Sequence, residues 1–298
     1  MRKHFLGLFR AFAMGVVLTG AASCEKMNVK SGEPDGDGVN VSLRVTSFEQ
    51  VPFGLSRTRL RSVEDVCSRL NYLIYDSDGH RLKQTVQEAG DEDFGQTSFN
   101  LGKGHYLLVV LAHSSSGNPT STNATKIGFT NTTGFTDTFY YADSLFVTDS
   151  AVKLQLNLNR IVAKVRFIAS DVAPATTSGV AFYYTGGSGA LDATNDGWGS
   201  VKSEQLTETA QGTGRDYYDI YTIPRKDCDH LWMRVNAFKG DDLKTGTTLS
   251  DKVLDSIPIK RNHVTICRGF LFSPVYEMTY TLMVDDEWDS DTIDFQFK

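Results

Sequence analysis

The chain has few cysteines, no excess of basic residues and no long hydrophobic run near its start, and each absence excludes a class of protein. Four widely spaced cysteines in 298 residues form neither a disulfide framework nor a zinc-binding pattern. A formal net charge of −6 argues against a nucleic-acid-binding protein, because such proteins are usually basic. The apolar run Ala11–Leu18 is too short to span a bilayer, which takes about 20 residues.

The motifs of common enzyme classes are also absent. The sequence contains no H-E-x-x-H zinc motif, no P-loop and no C-x-x-C pair. Gly186–Ala190 lacks the last glycine of a nucleophile elbow and a following helix, so we predict a flexible turn there. We therefore predict that the chain is not an enzyme and uses no cofactor or metal ion.

Three patterns could hold a metal ion or a substrate, and each has a simpler interpretation. Asp76–Gly79 resembles the start of a calcium loop but lacks the later ligands, and its Asp-Gly step favours a hairpin turn. The acidic residues within 285–294 surround Trp288 and could serve a glycosidase or bind calcium, although charge runs are usually solvated. His105 and His113 could share one face of a strand, but two histidines without a third ligand make a poor metal site.

The N-terminus has the layout of a secretory signal. Basic residues at positions 2–4, an apolar run and the small residues Gly20–Ser23 follow the order of a signal peptide. Cys24 comes directly afterwards, as in the lipobox of bacterial lipoproteins, where the cysteine becomes the first mature residue and carries acyl chains. Ala21 stands where lipoboxes usually have leucine, so ordinary cleavage without modification is the alternative. We predict a signal peptide over residues 1–23 and lipidation of Cys24.

Residues 24–38 and 114–138 lack the apolar residues that a core needs. The first stretch is rich in Gly, Ser and Pro and is predicted to be a flexible tether between lipid and folded domain. The second is rich in Ser, Thr, Asn and Gly and is predicted to be a long surface loop.

Short runs of alternating apolar and polar residues, separated by turn residues, recur along the rest of the chain. Residues 41–45 and 152–158 alternate cleanly, whereas 104–112 is a continuous apolar run typical of a central strand that is buried on both faces. The pattern allows one short helix over residues 62–69, and no long segment has helical periodicity. Strands are also predicted over residues 70–75, 161–167, 180–184, 217–223, 231–238, 263–272, 278–284 and 293–297.

This pattern predicts an all-β fold of the sandwich type. The chain is too long for one small sandwich, so we predict two in tandem, over residues 39–158 and 159–298. Cys67 and Cys267 lie in apolar surroundings and are predicted to be buried free thiols. The alternative is that one pair among Cys67, Cys228 and Cys267 forms a disulfide in an oxidising compartment.

Four stretches resemble the motifs of a known protein family in the expected order. Leu73–Gly79 resembles an apolar strand with a D-x-x-G turn, and Gly104–Val110 resembles a G-x-Y motif with an apolar strand. Arg160–Val165 resembles the R-x-x-A-K-V strand that opens a second domain, and Arg261–Thr265 resembles an R-N strand near the end. With the lipobox-like Cys24, the set is similar to that of FimB-type anchor proteins of Bacteroides-type fimbriae, relatives of the fimbrillin stalk subunits.

The resemblance implies two transthyretin-like β-sandwich domains in a surface-exposed outer-membrane lipoprotein. It implies a structural role, in which the protein anchors the base of a fimbrium and limits the length of the fibre. The implied partners are the outer membrane, through the lipid on Cys24, and fimbrial subunits bound by β-strand addition. In that mode a partner strand pairs with an exposed sheet edge.

A polymerising stalk or tip subunit is the first alternative. Stalk subunits of the family are cleaved after a basic residue, and Arg57, Arg59 and Arg61 could form such a site. A solvated basic loop is the simpler interpretation, since arginine is mostly exposed. Cleavage there would separate the folded chain from Cys24 and contradict an anchor role.

A surface glycan-binding lipoprotein or glycosidase is the second alternative, in which aromatic residues near Asp192–Trp198 would stack on sugar. Separately, four D-S/T-apolar tripeptides resemble the acceptor of O-glycosylation in this bacterial group. Their hydroxyls belong to Ser144, Ser150, Ser256 and Thr292. Such short patterns often arise by chance, so we treat glycosylation at these positions as a hypothesis.

Overall fold

The computed structural model of the chain describes residues 40–49, 62–130, 134–200, 205–210, 217–241, 244–273, 278–284 and 293–296. These residues form strands and two single turns of 3₁₀ helix, Val63–Asp65 and Ala193–Asn195. The described part contains no helix of the length and apolarity needed to cross a membrane. In chain order, the strands are β1 (Val41–Phe48), β2 (Arg69–Tyr75), β3 (Arg81–Glu88), β4 (Gln96–Phe99), β5 (Gly104–His113), β6 (Thr120–Asn123), β7 (Lys126–Gly128), β8 (Phe139–Val147), β9 (Val152–Arg160), β10 (Ala163–Ala169), β11 (Gly179–Thr185), β12 (Ala190–Asp192), β13 (Trp198–Gly199), β14 (Gln205–Ala210), β15 (Tyr217–Thr222), β16 (His230–Lys239), β17 (Thr247–Pro258), β18 (His263–Gly269), β19 (Met278–Val284) and β20 (Ile293–Gln296).

The first sandwich consists of β1 to β5, β8 and β9. Its strands follow the order β3-β2-β5-β8-β9-β1-β4, but β8 and β9 pair only at Phe139↔Arg160 and Tyr140↔Asn159. The seven strands therefore form two sheets, β3-β2-β5-β8 and β4-β1-β9, which face each other across one apolar core. Both halves contribute to this first core, for example Leu43 of β1 and Leu108 of β5.

The second sandwich repeats this strand order. One sheet has the order β15-β10-β18-β19-β20 and the other β14-β11-β16-β17, with a second core between them that includes Val165 and Phe182. The opening strand lies parallel to the last strand of the repeat in both sandwiches, as β1 beside β9 and β10 beside β18. In the same order, β1, β2, β3, β4, β5, β8 and β9 correspond to β10, β11, β14, β15, β16, β17 and β18. The predicted all-β fold of sandwich type is confirmed, while the division after residue 158 stays a prediction.

A small linking sheet joins the two sandwiches. Its order is β13-β12-β7-β6, so that two insertions from different sandwiches pair with each other, with Leu191 opposite Ile127. Both side chains are fully buried in a third core, together with Leu73 and Val109. The prediction of a long surface loop over 114–138 is therefore wrong, because the few apolar residues of this polar stretch are the ones that the linking sheet buries.

Strand β5 is buried on both faces, as its apolar run predicts. Leu108 and Val110 point into the first core, whereas Val109 and Leu111 point into the third core. The linking sheet thus covers what would otherwise be the solvent face of the first sandwich. Burial on two sides explains why β5 has no alternation of apolar and polar residues.

The glycine-rich turn at 186–189 is closely packed rather than flexible. Gly186 has φ +104°, and a Cβ at this position would lie 2.3 Å from the carbonyl oxygen of His230. A Cβ at Gly187 would lie 1.9 Å from Thr222 Oγ1. The buried hydroxyl of Ser188 donates to the carbonyl of Ala190 at 2.6 Å. The turn is confirmed, but its predicted flexibility is wrong.

Two further predictions concern cysteines and the short helix. Cys67 and Cys267 are free and buried, as predicted, while Cys228 is free and partly exposed. Burial raises the pKa of the Cys67 thiol to about 12, so this sulfur is a poor nucleophile.

The helix allowed over 62–69 is only the 3₁₀ turn Val63–Asp65, where the Ser62 N–H donates to the Asp65 carboxylate at 2.9 Å.

Candidate functional site

The strand nearest the predicted lipid site lies in the middle of a sheet. Strand β1 pairs in parallel with β9 from Val41↔Val152 to Phe48↔Leu158 and antiparallel with β4 on its other side. Leu43 is only 2% exposed. A tether ending in β1 is thus connected to the core of the first sandwich, where hydrogen bonds on two sides hold it.

Several of the predicted sites lie outside the described residues. These are the lipidation site Cys24, the basic cluster Arg57, Arg59 and Arg61, and the acceptor hydroxyl of Thr292. The acidic stretch at 285–292 also lies outside them. The lipidation, protease and glycosylation sites all remain predictions.

The remaining acceptor hydroxyls lie on the surface. Ser144, Ser150 and Ser256 are all exposed. Ser256 has φ +56° and lies where the pairing of β16 and β17 shifts register. Exposed hydroxyls are what the hypothesis of glycosylation at these positions requires.

Two of the family-like motifs meet where the sandwiches join. Arg160, at the end of β9, has a side chain that is 0% exposed and forms a bidentate pair with Asp137, with Nε–Oδ1 at 2.7 Å and Nη2–Oδ2 at 2.9 Å. Its third nitrogen, Nη1, donates to Asn262 Oδ1 of the second sandwich at 2.6 Å. Asn262 has φ +61°, a conformation that asparagine tolerates better than most residues. No sequence motif marks Asp137, which sequence reasoning did not find.

The neighbouring motif residue, Arg261, contacts the candidate sugar-binding segment. Its Nη1 donates to the carbonyl of Asp196 at 2.9 Å, and its guanidinium carbon lies 4.2 Å from the centre of the Trp198 ring. Lys226 Nζ also lies 5.9 Å from this ring. Since cations already lie against the indole, Trp198 acts as a packing surface within the joint.

Buried phenols hold the two insertions of the linking sheet. Tyr140 donates its hydroxyl proton to the carbonyl of Ala193 at 2.9 Å, and Tyr75 donates to the carbonyl of Ser121 at 2.9 Å. Burial raises the pKa of both phenols. These neutral donors satisfy carbonyls next to the third core, where an unsatisfied group would be costly.

The two histidines of β5 occupy opposite ends of the strand in different environments. His105 is exposed and stacks on Phe146, with ring centres 4.3 Å apart. His113 is 0% exposed, and its Nδ1 accepts from the N–H of Ser115 at 3.2 Å while Nε2 lies 2.9 Å from Asn71 Nδ2. Burial lowers the pKa of His113 to about 4, so it is a neutral structural residue.

The Asp76–Gly79 stretch is the hairpin turn between β2 and β3. Asp76 Oδ1 accepts from the N–H of Asp78 at 3.0 Å and from that of His80 at 2.8 Å, and Gly79 has φ +80°. Ligand atoms of these two aspartates and His80 lie within 4.8 Å of one another. Since the carboxylate of Asp76 already organises the turn, the hairpin accounts for the motif.

The two sandwiches differ in how the last strand of the repeat is bordered. In the second sandwich, β18 pairs with β10 on one side and with β19 along its whole length on the other, from His263↔Val284 to Gly269↔Met278. In the first sandwich, β9 pairs with β1, but on its outer side only Asn159 and Arg160 pair with β8. In the part of the chain that the structure describes, no strand borders Val152–Leu158 on that outer side.

Comparison with known proteins gives a family match. The family described as fimbrillin-A associated anchor proteins Mfa1 and Mfa2 matches residues 39–290. No curated protein matches the chain.

Several solved structures also resemble the chain, all at low sequence identity. One is a candidate cell adhesion protein from Bacteroides ovatus, at 12% identity, with 87% of this chain and 98% of that chain covered and a TM-score of 0.49. Another is a fimbrial assembly protein from Parabacteroides distasonis, at 12% identity, with 86% and 97% covered and a TM-score of 0.41. The tip fimbrial protein Mfa3 from Porphyromonas gingivalis matches at 13% identity, with 82% and 98% covered and a TM-score of 0.38.

Proposed function

We propose that this chain, which belongs to the family of fimbrillin-A associated anchor proteins Mfa1 and Mfa2, is a structural component of a bacterial fimbrium. Its role is to hold the base of the fibre at the outer membrane and to limit fibre length. The family match over residues 39–290 is the observation that carries this proposal. The family name describes anchoring, and the proposed role involves no catalysis.

The place of β1 favours an anchor over a stalk or tip subunit. Acyl chains on Cys24 would sit in the outer membrane, and the tether over 24–38 would lead into β1 at the centre of the first sandwich. Force on the lipid would then act on β1 along its pairing with β9 and β4. Cleavage after Arg57, Arg59 or Arg61 would detach both the lipid and this strand from the rest of the chain.

Loss of β1 would also be costly for the fold. Val41, Leu43 and Val45 are at most 3% exposed and lie in the first core. Removing them would open that core to water, which costs about 25 cal/mol per Å² of apolar surface. A cleaved stalk subunit would need a partner strand in this place, whereas an anchor that keeps its lipid also keeps β1.

The glycan-binding alternative gains no support from the joint. Trp198, one of the aromatic residues predicted to stack on sugar, already lies against Arg261. We therefore favour a role in binding other fimbrial components over a role in binding glycans. The proposed mode of binding is β-strand addition at an exposed sheet edge.

Replacing Cys24 in the native bacterium tests the proposed role. In a strain that lacks the chain and is complemented with Cys24→Ser, we expect fimbriae to be shed into the medium and to vary more in length. The wild-type chain and a Ser31→Ala tether variant should keep fimbriae attached. Immunoblots of cell and medium fractions would confirm that each variant is made. Fimbriae that stay attached at normal length without the chain would overturn the anchor role.

A further inference from the structure

The outer side of β9 presents a regular row of backbone groups. The Val152 N–H donates to the carbonyl of Asn40, and the Leu158 carbonyl accepts from the N–H of Glu49. Even-numbered residues of β9 therefore direct their hydrogen bonds towards β1, because successive residues of a strand alternate. The N–H and C=O groups of Lys153, Gln155 and Asn157 must point to the outer side. That side carries three donors and three acceptors in strand register.

The second sandwich shows what such an edge can bind. There the N–H of Ser170 donates to the carbonyl of Gly269, so odd-numbered residues of β18 face β10 and even-numbered residues face outward. The outward residues Val264, Ile266 and Arg268 lie opposite Met283, Thr281 and Thr279 of β19. Since β18 and β9 hold the same place in the repeated strand order, the outer side of β9 corresponds to the side of β18 that β19 covers.

The apolar surface beside β9 is also incompletely covered. Val152 and Leu154 belong to β9 and pack against the first core, but both are only partly buried. Strand β8 diverges from β9 along this length, since the two pair only at the far end, and Tyr141 of β8 is partly buried next to the same core. An added strand would cover the exposed part of these side chains.

The side chains on the opposite face of β9 define what the added strand must be. Lys153, Gln155 and Asn157 are exposed and polar, so the matching face of the added strand would lie in water. The other face would lie over Val152 and Leu154. The edge thus fits an extended segment in which apolar and polar residues alternate, about as long as the 7 residues of β19.

We propose that the outer edge of β9 is the docking site for an extended segment of a fimbrial partner polypeptide. The segment pairs antiparallel with Val152–Leu158, as β19 pairs with β18. The proposal rests on the proposed function for the identity of the partner, but the pairing itself rests on the repeated strand order. The main-chain groups of Lys153, Gln155 and Asn157 supply affinity through hydrogen bonds to the added strand.

A synthetic peptide with the sequence of residues 277–285, acetylated and amidated at its ends, probes the edge directly. With the full mature chain, we expect this peptide to slow amide exchange at Lys153, Gln155 and Asn157 at least fivefold. A peptide N-methylated at the positions of Thr279, Thr281 and Met283 loses the three donors that would face β9. A peptide methylated at the positions of Tyr280 and Leu282 keeps them. We expect the first methylated peptide to bind at least tenfold more weakly than the second.

Two protein variants complete the test. Gln155→Pro removes an outward N–H from the open edge and should abolish peptide binding. Ser98→Pro is the matched control on β4, at the other edge of the same sheet, because the N–H of Val45 donates to the Gly95 carbonyl and residue 98 consequently faces outward. It should bind the peptide like the wild type, and circular dichroism would show that both variants fold.

Two results would overturn the inference. One is unchanged exchange at β9 at millimolar concentrations of the unmodified peptide, and the other is equal binding of the two methylated peptides. Both results would leave the anchor role intact if Cys24→Ser still released fimbriae. Conversely, protected β9 amides with fimbriae that stay attached without the chain would refute the anchor role alone.

Discussion

The two sandwiches share a strand order but differ in how the last strand of the repeat ends. In the second sandwich the chain continues past β18 and returns as β19, which closes the edge. In the first sandwich, Ile161 and Val162 follow β9 directly, are buried in the third core and lead into β10. Among the residues of the first sandwich that the structure describes, no strand returns along the outer side of Val152–Leu158. Since the strand order up to β9 and β18 is the same, the course of the chain after each of these strands accounts for the difference between their outer sides.

The side chains of the two strands match this difference. The outward residues of β18 include Ile266, which is 8% exposed, whereas Lys153, Gln155 and Asn157 of β9 are all exposed. A polar and partly charged edge is the usual way in which proteins keep an open strand from pairing at random. Within the described residues, the outer side of β9 is therefore a polar strand edge, which suits the proposed docking of a partner strand.

The largest expected effect comes from breaking the joint that holds the two sandwiches together. Asp137→Ala leaves the guanidinium of Arg160 without its bidentate partner at a position that is 0% exposed. Leaving such a charge uncompensated costs about 3–5 kcal/mol. We expect a fall of that size in the free energy of unfolding, measured by urea denaturation.

The matched control replaces both partners of the pair. Asp137→Ala combined with Arg160→Met removes the buried charge and should recover most of the lost stability. If the single and double variants were equally destabilised, the cost would come from lost packing and not from the uncompensated charge of Arg160.

The second expected effect is a pH dependence of the stability of the first sandwich, which comes from His113 in β5. His113 is neutral in the folded chain because burial lowers its pKa to about 4, against about 6.5 in an unfolded chain. The unfolded state therefore binds the proton first as the pH falls. The stability from this residue is fully present above pH 6.5 and is lost between pH 6.5 and 4, by about 3 kcal/mol.

Amide exchange of β5 at pH 7 and pH 4.5 measures this loss. The variant His113→Asn cannot take up the proton, so its pH dependence over this interval should be smaller by most of that amount. If β5 in the variant lost as much protection as in the wild type, the pH dependence would come from other groups.

The smallest expected effect concerns an exposed pair with the same chemistry as the joint. Arg234 and Asp251 form a bidentate pair between β16 and β17 in which both side chains are more than a third exposed. Water screens such pairs, which contribute about 0–1 kcal/mol. Arg234→Ala should lower the free energy of unfolding by less than 1 kcal/mol, also by urea denaturation. A loss as large as that from Asp137→Ala would show that burial does not set the difference.

The sequence predicts the strands whose pattern is local. The continuous apolar run of β5 and the alternating pattern of β9 are sufficient to predict both strands. The reason is that the pattern of apolar residues in a strand depends on how many of its faces are buried. The same holds for Cys67 and Cys267, whose apolar neighbours indicate burial. Family-like motifs also identify Arg160 and Asn262, although not that their side chains touch.

Features that depend on distant partners could not be predicted. Ile127 is one apolar residue in a polar stretch, and its strand exists because Leu191 pairs with it. The close packing at Gly187 depends on Thr222, and the buried pair at Arg160 depends on Asp137. The open edge of β9 could not be predicted for the same reason, since openness belongs to the arrangement of strands and not to any one of them.

The intact mass of the protein extracted from the envelope of the native bacterium tests the anchor role most directly. If the chain anchors a fimbrium through its lipid, the mature protein begins at Cys24, carries acyl chains and still contains β1. A mass that corresponds to an unacylated chain starting after Arg57, Arg59 or Arg61 would contradict this account. Such a chain would have lost both the lipid and the central strand of the first sandwich, and it would be a polymerising subunit instead.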